Sequence, residues 1–246
     1  MQNVDEVVTL LREEGIPANL EGMRRFGIDT THALGIPVPV LRGIARQIKK
    51  DHALALQLWD TGIHEARILA SMIDDPALVT EAQINTWVKD FASWDVCDQV
   101  CGNLFDRTPF AVKKVKEFSS SKKEFIKRAA FSLVAGYATH NKKAEDKVFI
   151  AFLAIIDREA WDNRNFVKKA VNWALRGIGK RNAALNKEAI KTAERILLQQ
   201  TAAAKWIARD ALRELTSDAV ISRLQAKRKV RTNKNGRKLL TARLYY

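Results

Sequence analysis

The sequence predicts an all-α protein built from stacked helix pairs, and three observations support this prediction. Segments in which apolar residues recur at helical spacing follow one another through the chain of 246 residues, and strand-like alternation is hard to find. The connections between these segments are short, which favours antiparallel packing of neighbours. The third observation is an internal repeat. The clearest helical segments are residues 4–14, 39–50, 65–73, 81–92 and 146–157.

The repeat places an aromatic residue, a β-branched residue, any residue and then a base in the same order three times. The copies are FIKRAAFSL at 125–133, FVKKAVNWAL at 166–175 and WIARDALREL at 206–215, and HEARILASMI at 64–73 is a looser fourth copy. Their first aromatic residues are 41 and then 40 positions apart, a period typical of two-helix HEAT-type units. Because one unit cannot bury its apolar face alone, such units stack into a curved α-solenoid with a concave side.

Positive charge is concentrated in the last third of the chain. The formal net charge is +14, yet residues 163–246 carry 21 Lys and Arg against 5 Asp and Glu, so the first 162 residues sum to −2. Such asymmetry raises the local concentration of a polyanion, and it predicts a basic groove for DNA or RNA. The alternative is a solvated basic face. We predict one repeat domain over residues 1–226 and a flexible basic tail over 227–246, which has eight bases and no acid.

The bases that the repeat aligns are Arg128, Lys169 and Arg209. One interpretation is a structural ladder that joins stacked repeats. The other is a row of cations lining the concave face, and the two can hold at different positions.

Several function classes have no support in the sequence. No apolar run is long enough to span a bilayer and no signal-peptide core is found, so we expect a cytoplasmic protein without membrane contact. Cys97 and Cys101 are four residues apart and are interpreted as small buried side chains, with redox or metal chemistry as the alternative. The four histidines form no ligand pattern and no phosphate-binding P-loop occurs, so no metal and no cofactor are predicted.

A candidate reaction centre lies in SWDVCDQVCGNLF at 93–105. On a helix Trp94 and Asp98 share a face, since they are four residues apart. Asp95 lies off that face near the helix N-terminus, where a carboxylate suits the helix dipole, so it has an ordinary explanation. Trp173 is a second candidate aromatic. The remaining tryptophans, which are Trp59, Trp87, Trp161 and Trp206, are interpreted as core.

Most of residues 20–215 resemble the AlkD-like DNA alkylation repair glycosylases, a family built of HEAT-like repeats. The resemblance rests on LGIPVPVLR (34–42), LWDTGIHEARILA (58–70), SWDVCD (93–98), KRAAF (127–131) and FVKKAVNWALR (166–176). The family motif Trp-Trp-Asp-x-x-Asp ends in the catalytic Asp. That position is Asp98 here, and Trp94 matches the second Trp.

The resemblance also implies roles for residues of the repeats. Trp173 matches the partner tryptophan, Arg128 and Arg176 match DNA-contacting arginines, and Phe166 matches the aromatic that seats the duplex. Lys169, one of the aligned bases, is added as a DNA-binding candidate.

The chain also departs from the family pattern. Ser93 replaces the first Trp of the doubled pair, Pro37 replaces a polar residue, and a family lysine falls near Gly136.

The function implied is that of a monomeric, monofunctional DNA glycosylase. It would hydrolyse the N-glycosidic bond of cationic N3- or N7-alkylated purines in double-stranded DNA, without base flipping, as part of base excision repair. The alternative is a non-catalytic HEAT-repeat protein that binds damaged or branched DNA. A HEAT scaffold for a protein partner is a third interpretation.

Overall fold

The computed structural model describes residues 3–226, which form helices joined by short connections. The chain divides into two compact units, the first ending at Asn141 and the second beginning at Lys142. The single domain over 1–226 stays a prediction. The predicted basic tail at 227–246 lies outside the described residues.

The first unit contains nine α-helices and two 3₁₀ turns within its described part. Helices α3, α5, α7 and α9 pack side by side in chain order, and α4 and α8 pack against α5 and α9. The 3₁₀ turns are Val88–Asp90 and Phe105–Arg107. The helices are α1 (Val4–Glu13), α2 (Asn19–Arg25), α3 (Val38–Ile48), α4 (His52–Asp60), α5 (His64–Ile73), α6 (Glu81–Trp87), α7 (Trp94–Asn103), α8 (Ala111–Phe118) and α9 (Glu124–His140).

The second unit is also built of paired helices. Helix α11 packs on α13, and α12 packs against both. The helices are α10 (Asp146–Glu159), α11 (Asn165–Gly179), α12 (Ala183–Leu197), α13 (Ala202–Leu215) and a helical run α14 over 218–226. The aligned repeats therefore fall on α9, α11 and α13, and the looser copy on α5, each the second helix of a pair.

Side-chain caps explain why several helices start where they do. The Asn3 side chain accepts a hydrogen bond from the Glu6 backbone while the Glu6 carboxylate accepts from the Asn3 backbone, which forms a capping box. Asn182 and Thr201 cap α12 and α13 in the simpler way, each accepting from the backbone three residues on. These caps satisfy amide groups that the first turn leaves without partners.

The first unit's core confirms part of the aromatic and cysteine interpretation. The buried indoles of Trp59 and Trp87 stack with ring centroids 4.0 Å apart. Cys97 and Cys101 are buried free thiols of α7, and their sulfurs lie 3.7 Å from backbone carbonyls of α9. A thiol is small enough to let two helix backbones approach, so these residues act as packing groups between α7 and α9.

The prediction that Trp161 and Trp206 are core residues is wrong. Trp161 is 52% exposed and Trp206 is 41% exposed. Trp206 lies outside the stripe through which α13 packs, and that stripe consists of smaller residues. Its buried members are Ala203, Ala204, Ile207, Ala208, Ala211 and Leu215.

Within residues 3–226, every helix is either too short or too polar to cross a membrane.

Candidate nucleic-acid interface

Asp98 lies on α7 with its carboxylate directed at α9. Both oxygens are bound by Arg128, whose Nε donates to Oδ1 over 3.0 Å and whose Nη2 donates to Oδ2 over 2.7 Å. The Ser132 hydroxyl, one turn further along α9, donates to Oδ1 over 2.6 Å. The Asp98 side chain keeps 16% of its surface exposed. The carboxylate is therefore held in one orientation without being sealed into the apolar core.

Arg128 is the most buried of the predicted DNA-binding residues, with 5% of its surface exposed. Burial by itself lowers the pKa of Arg128, but the charge and hydrogen bonds of Asp98 outweigh burial and raise the pKa above its usual value. Its guanidinium carbon lies 5.8 Å from the centroid of the Trp94 ring, within the range of a cation–π contact. Trp94, Asp98 and Arg128 thus form one cluster, and Arg128 orients the carboxylate.

The cluster also involves a residue that sequence reasoning missed. The Trp94 indole N–H donates to the backbone carbonyl of Phe26 over 3.0 Å, although the two are 68 positions apart. The Phe26 side chain itself is 74% exposed, more than any other large apolar side chain in the described part of the first unit. The signal available in the sequence is an aromatic residue followed by glycine, a residue that favours turns. In the structure Gly27 does lie in a turn, with a φ of 73°. The backbone of Phe26 thus fixes the Trp94 indole, and its own exposed ring is a further aromatic candidate of the first unit.

Asp95 does more than complement the helix dipole. Its carboxylate lies 2.8 Å from His64 Nε2 on α5, and it also accepts a hydrogen bond from the Ser93 hydroxyl. Burial raises the pKa of Asp95, but the hydrogen bond and charge of His64 outweigh burial and hold the pKa below its usual value. Burial also lowers the pKa of His64, yet Asp95 raises it overall. Ser93, the position of the missing tryptophan, is thereby part of a polar network that anchors the start of α7.

Gly136 of α9 has a steric reason to lack a side chain. A Cβ at this position would lie 2.6 Å from Oδ2 of Asp106, well inside contact distance. The same oxygen lies 2.5 Å from His140 Nδ1, so the carboxylate has a fixed place. Burial raises the pKa of Asp106 despite this partner. The buried Asp106 carboxylate therefore occupies the space that a side chain at position 136 would need.

In the second unit, Phe166, Lys169, Trp173 and Arg176 follow one another along α11 at helical spacing. Lys169 is exposed, and no ion pair of its ammonium group is found within residues 3–226. Trp173 is 38% exposed and Phe166 is half-buried. Spacings of three and four residues place these side chains on one face of the helix. That face combines aromatic rings with a free cation.

Arg176 is held by acids of the neighbouring helix. One of its terminal nitrogens donates to the Glu214 carboxylate, and its Nε lies 3.6 Å from Asp210, which is too long for a hydrogen bond. Lys180 also donates to Glu214, over 2.6 Å. Burial raises the pKa of Glu214, but Lys180 and Arg176 outweigh this and lower it. Arg176 consequently contacts DNA only if it leaves or shares these carboxylates.

In the described part of the chain, no group of three or more His, Cys, Asp or Glu side chains is placed to hold a metal ion. The cluster of Trp94, Asp98 and Arg128 offers an oriented carboxylate, an aromatic surface and a cation. Trp94, Asp98 and Arg128 are brought together in the first unit, and the remaining candidates lie along one helix of the second.

Comparisons with known proteins identify the family and the fold. A family model described as "DNA alkylation repair enzyme" matches residues 7–215. A solved structure is described as "A new family of proteins related to the HEAT-like repeat DNA glycosylases with affinity for branched DNA structures". It matches with a TM-score of 0.72 at 17% identity, covering 87% of this chain and 95% of the other. This likeness shows a HEAT-like repeat fold. A search of curated proteins finds no match.

Proposed function

The chain belongs to the DNA alkylation repair enzyme family, and we propose that it is a monofunctional DNA glycosylase. Its substrate would be a purine alkylated at N3 or N7 in double-stranded DNA. The observation that carries the proposal is the oriented, partly exposed carboxylate of Asp98 beside the Trp94 ring. A family name alone does not specify a reaction, whereas this arrangement suits one reaction well.

The reaction needs little acid catalysis. An N3- or N7-alkylated purine carries a positive charge, so it leaves as a neutral base when the bond to C1′ breaks. The electrons of that bond go to the purine, and the sugar becomes an oxocarbenium-like cation. Water then adds to C1′ and loses a proton, which leaves an abasic site. Asp98 stabilises the sugar cation and orients the water.

The contribution of Asp98 to the rate of base excision follows from simple electrostatics. Opposite charges about 4 Å apart at an effective dielectric near 20 attract by roughly 4 kcal/mol, which corresponds to about a thousandfold in rate. Arg128 limits this effect in the free protein because it neutralises the same carboxylate. We propose that a DNA phosphate draws the guanidinium toward itself, so that DNA binding releases Asp98 for the sugar. Arg128 would then be both a DNA contact and a positioning residue.

The other candidates have roles in binding the duplex. Trp94 would present its ring face to the cationic sugar, worth about 0.5–2 kcal/mol. Trp173 of the second unit would present its exposed ring to the duplex. Lys169 and Arg176 would neutralise phosphates, and Phe166 would pack against the backbone. The surplus of bases in the last third of the chain supports this polyanion interface.

Release of 7-methylguanine from methylated duplex DNA tests the proposal. The Asp98→Asn variant should excise on the order of a thousandfold more slowly, while DNA binding persists. Asp218→Asn removes an exposed carboxylate of α14 and is the matched control, with activity equal to that of the parent. Equal excision by the parent and Asp98→Asn would refute the role of Asp98.

A second candidate function is binding of damaged or branched DNA without catalysis. The ion pair between Asp98 and Arg128 favours it, because a neutralised carboxylate stabilises a sugar cation poorly. The solved relative with affinity for branched DNA structures also points this way. In that case the parent protein releases no base from methylated DNA but binds it, with an affinity that falls steeply as salt rises.

A further inference from the structure

The exposed face of α13 carries an aromatic ring that lies outside the helix's packing stripe. Trp206 points away from the stripe through which α13 packs, and its exposed indole borders a cavity of about 410 Å³. The cavity is lined by Ala202, Lys205, Trp206, Arg209, Asp210 and Arg213, which follow one another at spacings of one, three or four residues. All six therefore lie on one face of a single helix.

This face is positively charged with little compensation. Lys205 and Arg209 form no ion pair within the described residues, and the Lys168 ammonium of α11 lies 5.5 Å from the centroid of the Trp206 ring. The one acid of the cavity lining, Asp210, is already engaged by Arg213 and lies near Arg176. An anion that enters the cavity consequently meets cations whose charge is not satisfied within the protein.

Trp206 also differs from the residues that the repeat aligns with it. Phe125 and Phe166 occupy the equivalent positions on α9 and α11, and both are half-buried, whereas Trp206 is exposed. An indole offers a larger ring face than a phenyl group, and it is the best ring for cation–π contact. The last aligned repeat thus combines the largest aromatic surface with open cations and an adjacent cavity.

A solvent-exposed ring flanked by cations is an arrangement that binds single-stranded nucleic acid. A nucleobase stacks on the ring while the phosphates of the strand contact the Lys and Arg side chains. A base inside a duplex already stacks on both faces and is not available. We propose that the Trp206 face of α13 binds an unpaired DNA nucleotide, with its base on the indole and its phosphates on Lys205 and Arg209. The site would favour DNA in which single strands leave a duplex.

The inference is independent of base excision. It concerns binding by the second unit, and loss of glycosylase activity would leave it unchanged. The proposed site would also distinguish two kinds of DNA, since a blunt duplex offers phosphates but few nucleobases with an open face. A splayed-arm duplex and a single strand offer both.

Fluorescence anisotropy with three labelled probes tests the proposal on the full chain. The probes are a blunt duplex, a splayed-arm duplex and oligo(dT) of the same length. Trp206→Leu keeps an apolar side chain but removes the ring, and it should weaken binding of oligo(dT) and of the splayed-arm probe about 5- to 100-fold. Blunt-duplex binding should change less than twofold. Trp206→Phe should retain part of the affinity, since it keeps a ring for stacking.

Trp161→Leu is the matched control, because this indole is exposed to a similar extent but lines no part of the cavity. It should bind all three probes like the parent. Arg209→Ala should reduce the salt dependence of oligo(dT) binding by about 0.7 in the log–log slope, the value for one phosphate contact on a single strand. Unchanged oligo(dT) affinity in Trp206→Leu overturns the proposal. So does an equal loss for all three probes, or failure of the parent to bind oligo(dT).

Discussion

The two units use the same repeat position in opposite ways. Arg128 of the first unit is buried and binds both oxygens of Asp98. Lys169 and Arg209 occupy the aligned positions of the second unit and are exposed. The structural interpretation therefore describes Arg128, whose ion pair joins neighbouring helices, whereas a role of Lys169 and Arg209 as a row of ligand-binding cations stays a prediction.

The difference depends on where the neighbouring helix carries its acids. In the first unit, α7 places Asp98 opposite the aligned base of α9. In the second, the acids of α13 are Asp210 and Glu214, and they engage Arg176 further along α11. Lys169 is exposed and forms no ion pair within residues 3–226. Whether a Lys or Arg of a helical repeat forms an ion pair within the protein or stays available to a ligand thus depends on the neighbouring helix. The residues next to it in the sequence do not decide between the two.

The largest expected effect comes from breaking the buried pair. Arg128→Met should lower the free energy of unfolding by about 3–5 kcal/mol, because it leaves the Asp98 carboxylate without its cation. Urea denaturation followed by circular dichroism measures this loss. Lys169→Met is the matched variant of the second unit and should change stability by no more than about 0.5 kcal/mol.

The double variant Arg128→Met with Asp98→Leu sharpens this test, since it removes both charges together. It should recover most of the stability that the single variant loses. Similar losses in Arg128→Met and Lys169→Met would mean that the two aligned bases do not differ as their burial indicates.

The second largest effect concerns the polar network that anchors α7. His64→Gln should cost about 2 kcal/mol at pH 5.5, typical of a hydrogen bond to a charged group. The cost should be smaller at pH 8. The pKa of His64 is raised in the folded state, so the stability it contributes is fully present below the unfolded pKa of about 6.5 and is lost as the pH rises through the folded value.

On the acidic side of the pH range, the stability that the pair contributes changes with pH in the opposite direction. The pKa of Asp95 is lowered in the folded state, so its contribution is present above the unfolded value of 3.8 and is lost as the pH falls through the folded pKa. The pair is therefore worth most between about pH 4 and 6.5. Urea titrations of the parent and His64→Gln across this range measure the difference. A difference that grows from pH 5.5 to pH 8 would contradict the assigned pairing.

The smallest effect is expected for the open cation of the second unit. Lys169→Ala should leave the melting temperature unchanged and reduce the salt dependence of duplex binding by about 0.9 in the log–log slope, the value for one phosphate contact. Lys187→Ala removes an exposed lysine of α12 and is the control, with the slope of the parent. Equal slopes in all three proteins would place Lys169 outside the DNA interface.

Much of the fold was predictable because helical periodicity is a local property. Residues 4–14, 65–73 and 146–157 were predicted as helices, and they correspond to α1, α5 and α10 within a few residues. The stacked helix pairs followed from a repeat period of about 40 residues, which the HEAT-like fold confirms. The burial of Cys97 and Cys101 was predicted as well.

The candidate site was predictable only in part. Trp94 and Asp98 could be placed on one face of a helix because they are four residues apart. The partners of Asp98 could not be predicted, since Arg128 and Ser132 lie 30 and 34 positions away. Phe26 was missed for the same reason, and Trp206 was assigned to the core although other residues of α13 fill it.

The sequence by itself determined the helices, their pairing into repeats and the surplus of positive charge toward the end of the chain. Each of these follows from the order of apolar and charged residues along a few turns. Only the tertiary structure decided which charges are buried against each other and which remain open to a ligand. The physical reason is that an ion pair between helices depends on which residues of two distant segments come within about 3 Å of each other, and no local pattern contains that distance.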